Sequence, residues 1–153
     1  MIAFDVDGTI LNYDGHAFGD TRYNLELLPL VQRVGTRMVA LVTNQGGMAF
    51  SRTNHKYPTP LRVGQRINEA CTFMRRNGFS AMAVHVSCYH PKAETADIEW
   101  AARKLREFLA LLPCDYTVYT TERARKPHPL MLRAAGATVY YGDSPEDGQA
   151  ADA

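Results

Sequence analysis

Residues 1–10 read "MIAFDVDGTI". An apolar run enters this stretch, and two aspartates separated by one valine leave it, followed by Gly-Thr. Residues 1–6 make a short, nearly continuous apolar strand, as expected where both faces of a sheet are covered. The Asp-Val-Asp-Gly segment admits two readings. Asp-Gly is a common turn, so Asp5 and Asp7 can be solvated residues at a strand end. They can equally be a working pair of carboxylates, and the rest of the chain has to decide between the two.

Working outward from that strand, "LELLPLVQRV" (25–34) places Leu27, Leu30, Val31 and Val34 at helical spacing, with Gly35 as a stop. "RMVALVT" (37–43) is a second buried strand, and 44–60, polar and rich in Gly, Asn and Pro, reads as a loop. A helix is expected over 61–77, with Ile67, Ala70, Cys71 and Met74 on one face. "AMAVHVS" (81–87) is a third strand. The clearest helix is 95–112, where Ile98, Ala101, Leu105, Leu109 and Leu112 form one stripe ahead of Pro113. "YTVYTT" (116–121) alternates like a strand of unassigned place, a short helix covers 128–135, and "ATVYYGD" (137–143) is the last strand.

Strands alternating with helices predict an α/β fold. The expected architecture is a Rossmann-like three-layer sandwich, a mostly parallel sheet with helices on both faces. In such sheets ligands bind beyond the carboxyl ends of the strands. Strand one ends at Asp5-Val6-Asp7-Gly8-Thr9, strand two at Thr43-Asn44-Gln45-Gly46-Gly47, and the last at Gly142-Asp143-Ser144. All three polar clusters therefore converge on one edge, and that convergence favours the working pair of carboxylates.

The 153 residues fit one domain, 1–153. Apolar residues make up 46% and charged residues 22%, an ordinary globular balance, and the formal charge of +1 predicts no strong attraction to nucleic acid or an anionic membrane. No stretch approaches the roughly 20 apolar residues of a membrane span, and no signal peptide is visible. Three widely spaced cysteines (Cys71, Cys88, Cys114) argue against a disulfide framework, so a reducing, cytoplasmic setting is expected.

The converging edge carries several carboxylates, a threonine hydroxyl, an asparagine and glycine backbone, and "RARKPHP" (123–129) adds Lys126. Clustered carboxylates repel unless a cation neutralises them, and hard oxygen ligands suit Mg²⁺. Hydroxyl, amide and backbone N–H donors beside a lysine cradle a tetrahedral anion. Metal, anion cradle and a spare carboxylate together describe phosphoryl transfer through an aspartyl-phosphate. Residues i and i+2 of an extended strand start on the same side, and mutual repulsion separates two carboxylates into nucleophile and proton carrier. Gly8 then lets the chain turn sharply, bringing backbone N–H groups near the phosphate. Arg125, beside Lys126, is placed to touch substrate.

"DVDGT", "VTNQGG", "RKPHP" and "GDSPED", in that order, resemble the four motifs of the haloacid dehalogenase-like (HAD) hydrolases, over residues 2–147. The resemblance implies Asp5 as nucleophile and Asp7 as general acid/base, with the Asp7 backbone carbonyl also on the metal. It implies Thr43 on the phosphoryl oxygens with Asn44 beside it, and Lys126 offsetting charge on the transferring group. Asp143 would complete a Mg²⁺ site with Asp5, and Asp147 would hold a metal-bound water or orient the lysine. Within the family, "TNQGG" and "RKPHPLML" are most similar to small phosphatases related to histidinol-phosphate and heptose-bisphosphate phosphatases. The phosphatase domain of polynucleotide kinase/phosphatase proteins has similar motifs. These relatives have no large cap, which implies an open site for a phosphorylated small molecule or for a nucleotide or nucleic-acid end.

Two departures stand out. Some small relatives hold a structural zinc through a Cys-x-His pair and a Cys-x-Cys; here "CYHP" supplies Cys88 and His90 but "TTERARKP" has no cysteine, and two ligands do not close a tetrahedral site. Only six residues follow Asp147. Either the domain lacks its last helix and strand, "DGQAADA" being the start of that helix, or a partner, such as a second copy, covers the sheet edge. The competing reading is a phosphate-binding or signalling module without turnover, receiver-like or an inactive HAD fold. A receiver, however, carries its phosphorylated Asp on a middle strand after an acidic pair, whereas here the pair opens the chain.

Overall fold

In the computed structural model, residues 1–11, 23–24, 28–33, 38–79 and 81–153 are described. They form an α/β fold around five parallel strands: β1 (Ile2–Phe4), β2 (Met38–Asn44), β3 (Ala81–Ser87), β4 (Asp115–Tyr119) and β5 (Val139–Tyr141), in the order β4-β3-β2-β1-β5. Parallel neighbours need crossovers. These contain α1 (Leu28–Arg33), α2 (Pro60–Arg76), α3 (Thr95–Leu109) and α4 (Leu130–Ala134), and α5 (Pro145–Asp152) follows β5.

The alternation of side chains along β2 sorts the core into two layers. Val39 and Leu41 join Phe4, Val84 and Val86 against Ile67 and Met74 of α2 and Leu105 and Leu109 of α3. Ala40 and Val42 turn the other way and join Ala3 against Met131 and Leu132 of α4 and Ala150 of α5. Burial on both sides is why Val39–Val42 reads as an unbroken apolar run. Among the described residues, no helix is long and apolar enough to cross a membrane.

Several predicted boundaries shift, each for a local reason. β1 stops at Phe4 rather than at residue 6, because the N–H groups of Ile10 and Leu11 both donate to Val6 O and fold the chain into a turn. Asp7 therefore lies in a turn, and strand alternation does not set the direction of its side chain. The predicted loop 44–60 contains a 3-10 helix, Gly46–Arg52, which buries Met48 and Ala49. α3 ends at Leu109 rather than at 112, because the N–H groups of Leu111 and Leu112 switch to the i−3 carbonyls of Phe108 and Leu109. "YTVYTT" becomes the edge strand β4, and the C-terminal residues form α5. The apolar face predicted from Leu27, Leu30, Val31 and Val34 lies outside the described side chains, as does most of the segment 12–27.

α2 is fixed at its start by side-chain capping. Thr59 accepts from Arg62 N–H (3.2 Å), and Pro60 occupies the first turn, where its missing donor costs nothing. The apolar stripe of the helix, Val63, Ile67, Ala70 and Met74, is interrupted by a buried charge, Arg66.

Candidate active site

β2, β1 and β5 are neighbours, so their carboxyl ends bring Thr43, Asp5 and Asp143 to one edge. Asp5 extends the pairing of β1 with β5 by one backbone bond, its N–H donating to Tyr141 O at 2.8 Å. Its side chain is buried, and Lys126 reaches it from the loop after β4. All three donors of the Lys126 ammonium find oxygen: Asp5 Oδ1 at 2.8 Å, Tyr140 OH at 2.8 Å and Asp147 Oδ1 at 2.5 Å. Tyr140 OH in turn donates to Asp147 Oδ1 at 2.6 Å.

Asp147 has a second task. Its Oδ2 accepts from Ser144 N–H (3.1 Å) and Ser144 Oγ (2.8 Å), while Ser144 Oγ accepts from Asp147 N–H (3.3 Å). This is the capping box that starts α5, so one carboxylate fixes both the helix and the lysine. Tight backbone allows the approach. A Cβ at Gly142 would overlap Asp147 Cγ, and one at Gly8, whose φ is +78°, would overlap Asp143 Oδ2. Only glycine fits at residue 8, for its conformation and for its space.

One carboxylate oxygen from each of Asp5, Asp143 and Asp147 lies within 4.8 Å of the others, and among the described residues this is the cluster with metal-ligating potential. Three hard, anionic oxygen donors suit Mg²⁺. One ammonium, Lys126, offsets only part of the charge of three carboxylates. Burial above all, with Asp147 and Asp7 adding to it and Lys126 opposing it, pushes the Asp5 carboxyl up to about 7. Burial and Asp147 also raise Asp143. Asp147 goes the other way: burial works against its charge, but Lys126, Tyr140 and Ser144 outweigh it and hold the carboxyl below its usual range. Burial would likewise discharge Lys126, yet Asp5 and Asp147 prevail and raise it, keeping the ammonium charged.

Asp7 stands apart from this cluster. Its Oδ1 pairs with Arg66 Nε, and its Oδ2 accepts from Gln45 Nε2 at 2.7 Å. The same Gln45 nitrogen donates to Thr43 Oγ1 at 3.0 Å, linking Asp7 to a buried threonine. Asn44 directs both ends of its amide at the Lys126 backbone, donating to Lys126 O (3.3 Å) and accepting from Lys126 N–H (3.0 Å). Asn44 thus ties β2 to the lysine loop, and it also lines the cleft described next. Arg125 NH1 donates to Tyr89 O at 3.2 Å. An open cleft of about 370 Å³ adjoins these groups, lined among others by Asp7, Gln45, His90, Arg125 and Glu146.

Of the residues singled out in the sequence, Asp5, Lys126, Asp143 and Asp147 meet in one cluster, with Gly8 against Asp143. Thr43 and Asp7 meet through Gln45. Cys88 is buried, its thiol pushed up to about 12 by that burial, and it joins no ligand cluster with His90 among the described residues. Sequence reasoning misses three participants. Arg66 was detectable as a charge on the apolar face of α2, Gln45 lies inside the strand-end motif, and Tyr140 follows an ordinary strand alternation that carries no such signal. No family model, no curated protein and no solved structure matches this chain.

Proposed function

We propose that the protein is a Mg²⁺-dependent phosphomonoester hydrolase working through an aspartyl-phosphate on Asp5, with Asp7 as general acid/base. The observation that carries this reading is the buried Asp5 carboxylate, paired with Lys126 and grouped with Asp143 and Asp147 beside an open cleft that Asp7 lines. The order of the four HAD-like motifs supports it. So does the position of every motif at the carboxyl edge of the sheet, where α/β folds bind ligands.

In this reading Asp5 and Asp143 would hold Mg²⁺ together with the Asp7 backbone carbonyl, while Asp147 orients Lys126. The bound ion supplies charge neutralisation for a phosphoryl group and lets Asp5 stay ionised at neutral pH. Lys126 holds Asp5 by Oδ1, leaving Oδ2 as the attacking atom. Asp5 Oδ2 forms a bond to phosphorus as the bond to the leaving oxygen breaks, and the Asp7 carboxyl proton passes to that oxygen. Water then attacks the same phosphorus, Asp7 takes its proton, and the Asp5–phosphorus bond breaks. Phosphate and an alcohol leave, and both aspartates return to their first state. Lys126 offsets charge on the equatorial oxygens throughout.

The cleft is open and polar, which suits a phosphorylated small molecule or a nucleotide or nucleic-acid end. The free Cys71, Cys88 and Cys114 fit a reducing, cytoplasmic setting. The test is hydrolysis of p-nitrophenyl phosphate with Mg²⁺ by wild type, Asp5→Asn and Asp7→Asn. Activity lost with EDTA and with Asp5→Asn is the expected result. Activity that survives Asp5→Asn overturns the proposal.

A further inference from the structure

Arg66 is 3% exposed, deeper than almost any other charged side chain described. A guanidinium at that depth gives up its hydration and is costly unless it is paired. An aliphatic residue would continue the stripe of Val63, Ile67, Ala70 and Met74 without that cost. One of the arginine's contacts bears on the site: Arg66 Nε pairs with Asp7 Oδ1, and the side chains are 2% and 21% exposed respectively. Arg66 stands behind and Asp7 in front, and of the two only Asp7 lines the cleft, among the described residues.

The other Asp7 oxygen is held as well, by Gln45 Nε2 at 2.7 Å. Two donors from two elements, one on α2 and one after β2, fix the rotamer and the carboxylate plane of a side chain that sits in a turn. An acid/base group needs that restraint, because proton transfer to a leaving oxygen requires hydrogen-bond geometry at the moment the bond breaks.

We propose that Arg66 is the positioning residue for Asp7, acting through it to protonate the leaving oxygen, and so sets how well the enzyme handles poor leaving groups. This rests on the phosphatase reading above. Arg66 acts from behind Asp7, away from the residues that line the cleft. Its effect appears where the Asp7 proton matters most, on leaving groups that depart badly as anions. p-Nitrophenolate leaves readily without a proton, whereas phenolate, with a conjugate acid near that of tyrosine at about 10, gains from one.

The experiment compares kcat and KM on p-nitrophenyl phosphate and on phenyl phosphate, with saturating Mg²⁺, for wild type, Arg66→Met and Arg66→Lys. General acid catalysis contributes about 10²–10⁴-fold. Arg66→Met is accordingly expected to lower kcat/KM, which reports the steps up to loss of the leaving group, at least tenfold more on phenyl phosphate than on p-nitrophenyl phosphate. Arg66→Lys, which keeps a donor on the same helix, is expected to recover part of the difference. A merely structural tether lowers both rates by one factor, and equal losses, or an unchanged ratio, overturn the inference. If Arg66→Met does not fold, the ratio measured for Arg66→Lys decides the matter by the same criterion. A wild type silent on both esters overturns the phosphatase reading and this inference together, whereas an active wild type with equal losses overturns this inference alone.

Discussion

Replacing Lys126 by methionine puts the largest strain on the site at the smallest change of volume. The lysine side chain is 5% exposed, and its two carboxylate partners, Asp5 and Asp147, are 8% and 4% exposed. Removing the ammonium leaves two buried acids facing one another, with Tyr140 between them and no cation. Breaking a buried pair by deleting one partner costs about 3–5 kcal/mol. In a chain of this size each kcal/mol moves the midpoint by roughly 2–4 °C, so a fall of about 10 °C is expected in metal-free buffer at pH 8.

The pH dependence has a definite sign. Without the lysine, Asp5 loses the group that opposes its burial and its folded value lies further above the unfolded one, so the folded state binds more protons and stability falls as pH rises through that window. The deficit should therefore shrink at pH 5. Added Mg²⁺ binds the folded chain and should restore part of the loss at pH 8. Urea unfolding at both pH values, with and without Mg²⁺, measures all of this. A Lys126→Met protein as stable as wild type at pH 8 without metal would refute the reasoning, because the two acids would then not be held by the lysine.

Three other outcomes are expected from the same geometry. Since Asp5 sits at about 7 without metal and must be ionised to bind it, Mg²⁺ affinity should drop about tenfold per unit below that pH, with proton release on binding; calorimetry at pH 5.5, 6.5 and 7.5 reads this, and a flat affinity contradicts it. Gly8→Ala drives a methyl into Asp143 Oδ2 at a φ of +78°, so Mg²⁺ affinity should fall at least tenfold and stability by about 1–3 kcal/mol, both measurable on the purified variant. Tyr140→Phe removes one acceptor from Lys126 and one donor to Asp147, and should cost about 1–2 kcal/mol in urea unfolding while keeping the fold, as judged by circular dichroism.

The sheet was legible because its central strands are apolar on both faces and its polar clusters fall at strand ends. Val39–Val42 and Val84–Val86 announce buried strands by composition alone, and the stripe from Ile98 to Leu109 announces α3 by its period. The acidic cluster was legible for the same reason, since Asp5 and Asp143 each lie at the end of a strand. The surroundings of Asp7 were not. Once the chain turns at Val6, the direction of the Asp7 side chain depends on tertiary partners, and Arg66 is 59 residues away in sequence. Asn44 shows the same limit: nothing in its type announces the pair of hydrogen bonds it makes to the Lys126 backbone, 82 residues away. Tyr140 sits in plain strand alternation, and only the arrival of Lys126 and Asp147 gives its hydroxyl a task.

The central claim is that Asp5 carries the phosphoryl group. Acid-quenched single turnovers with a ³²P-labelled monoester and Mg²⁺ test it most directly, with the labelled peptide mapped after borohydride reduction. The expected result is a transient, hydroxylamine-sensitive label on Asp5 that is absent in Asp5→Asn and accumulates in Asp7→Asn, where no base remains to activate water. Phosphate release by wild type with no label on Asp5 at any time, and undiminished turnover by Asp5→Asn, would contradict it.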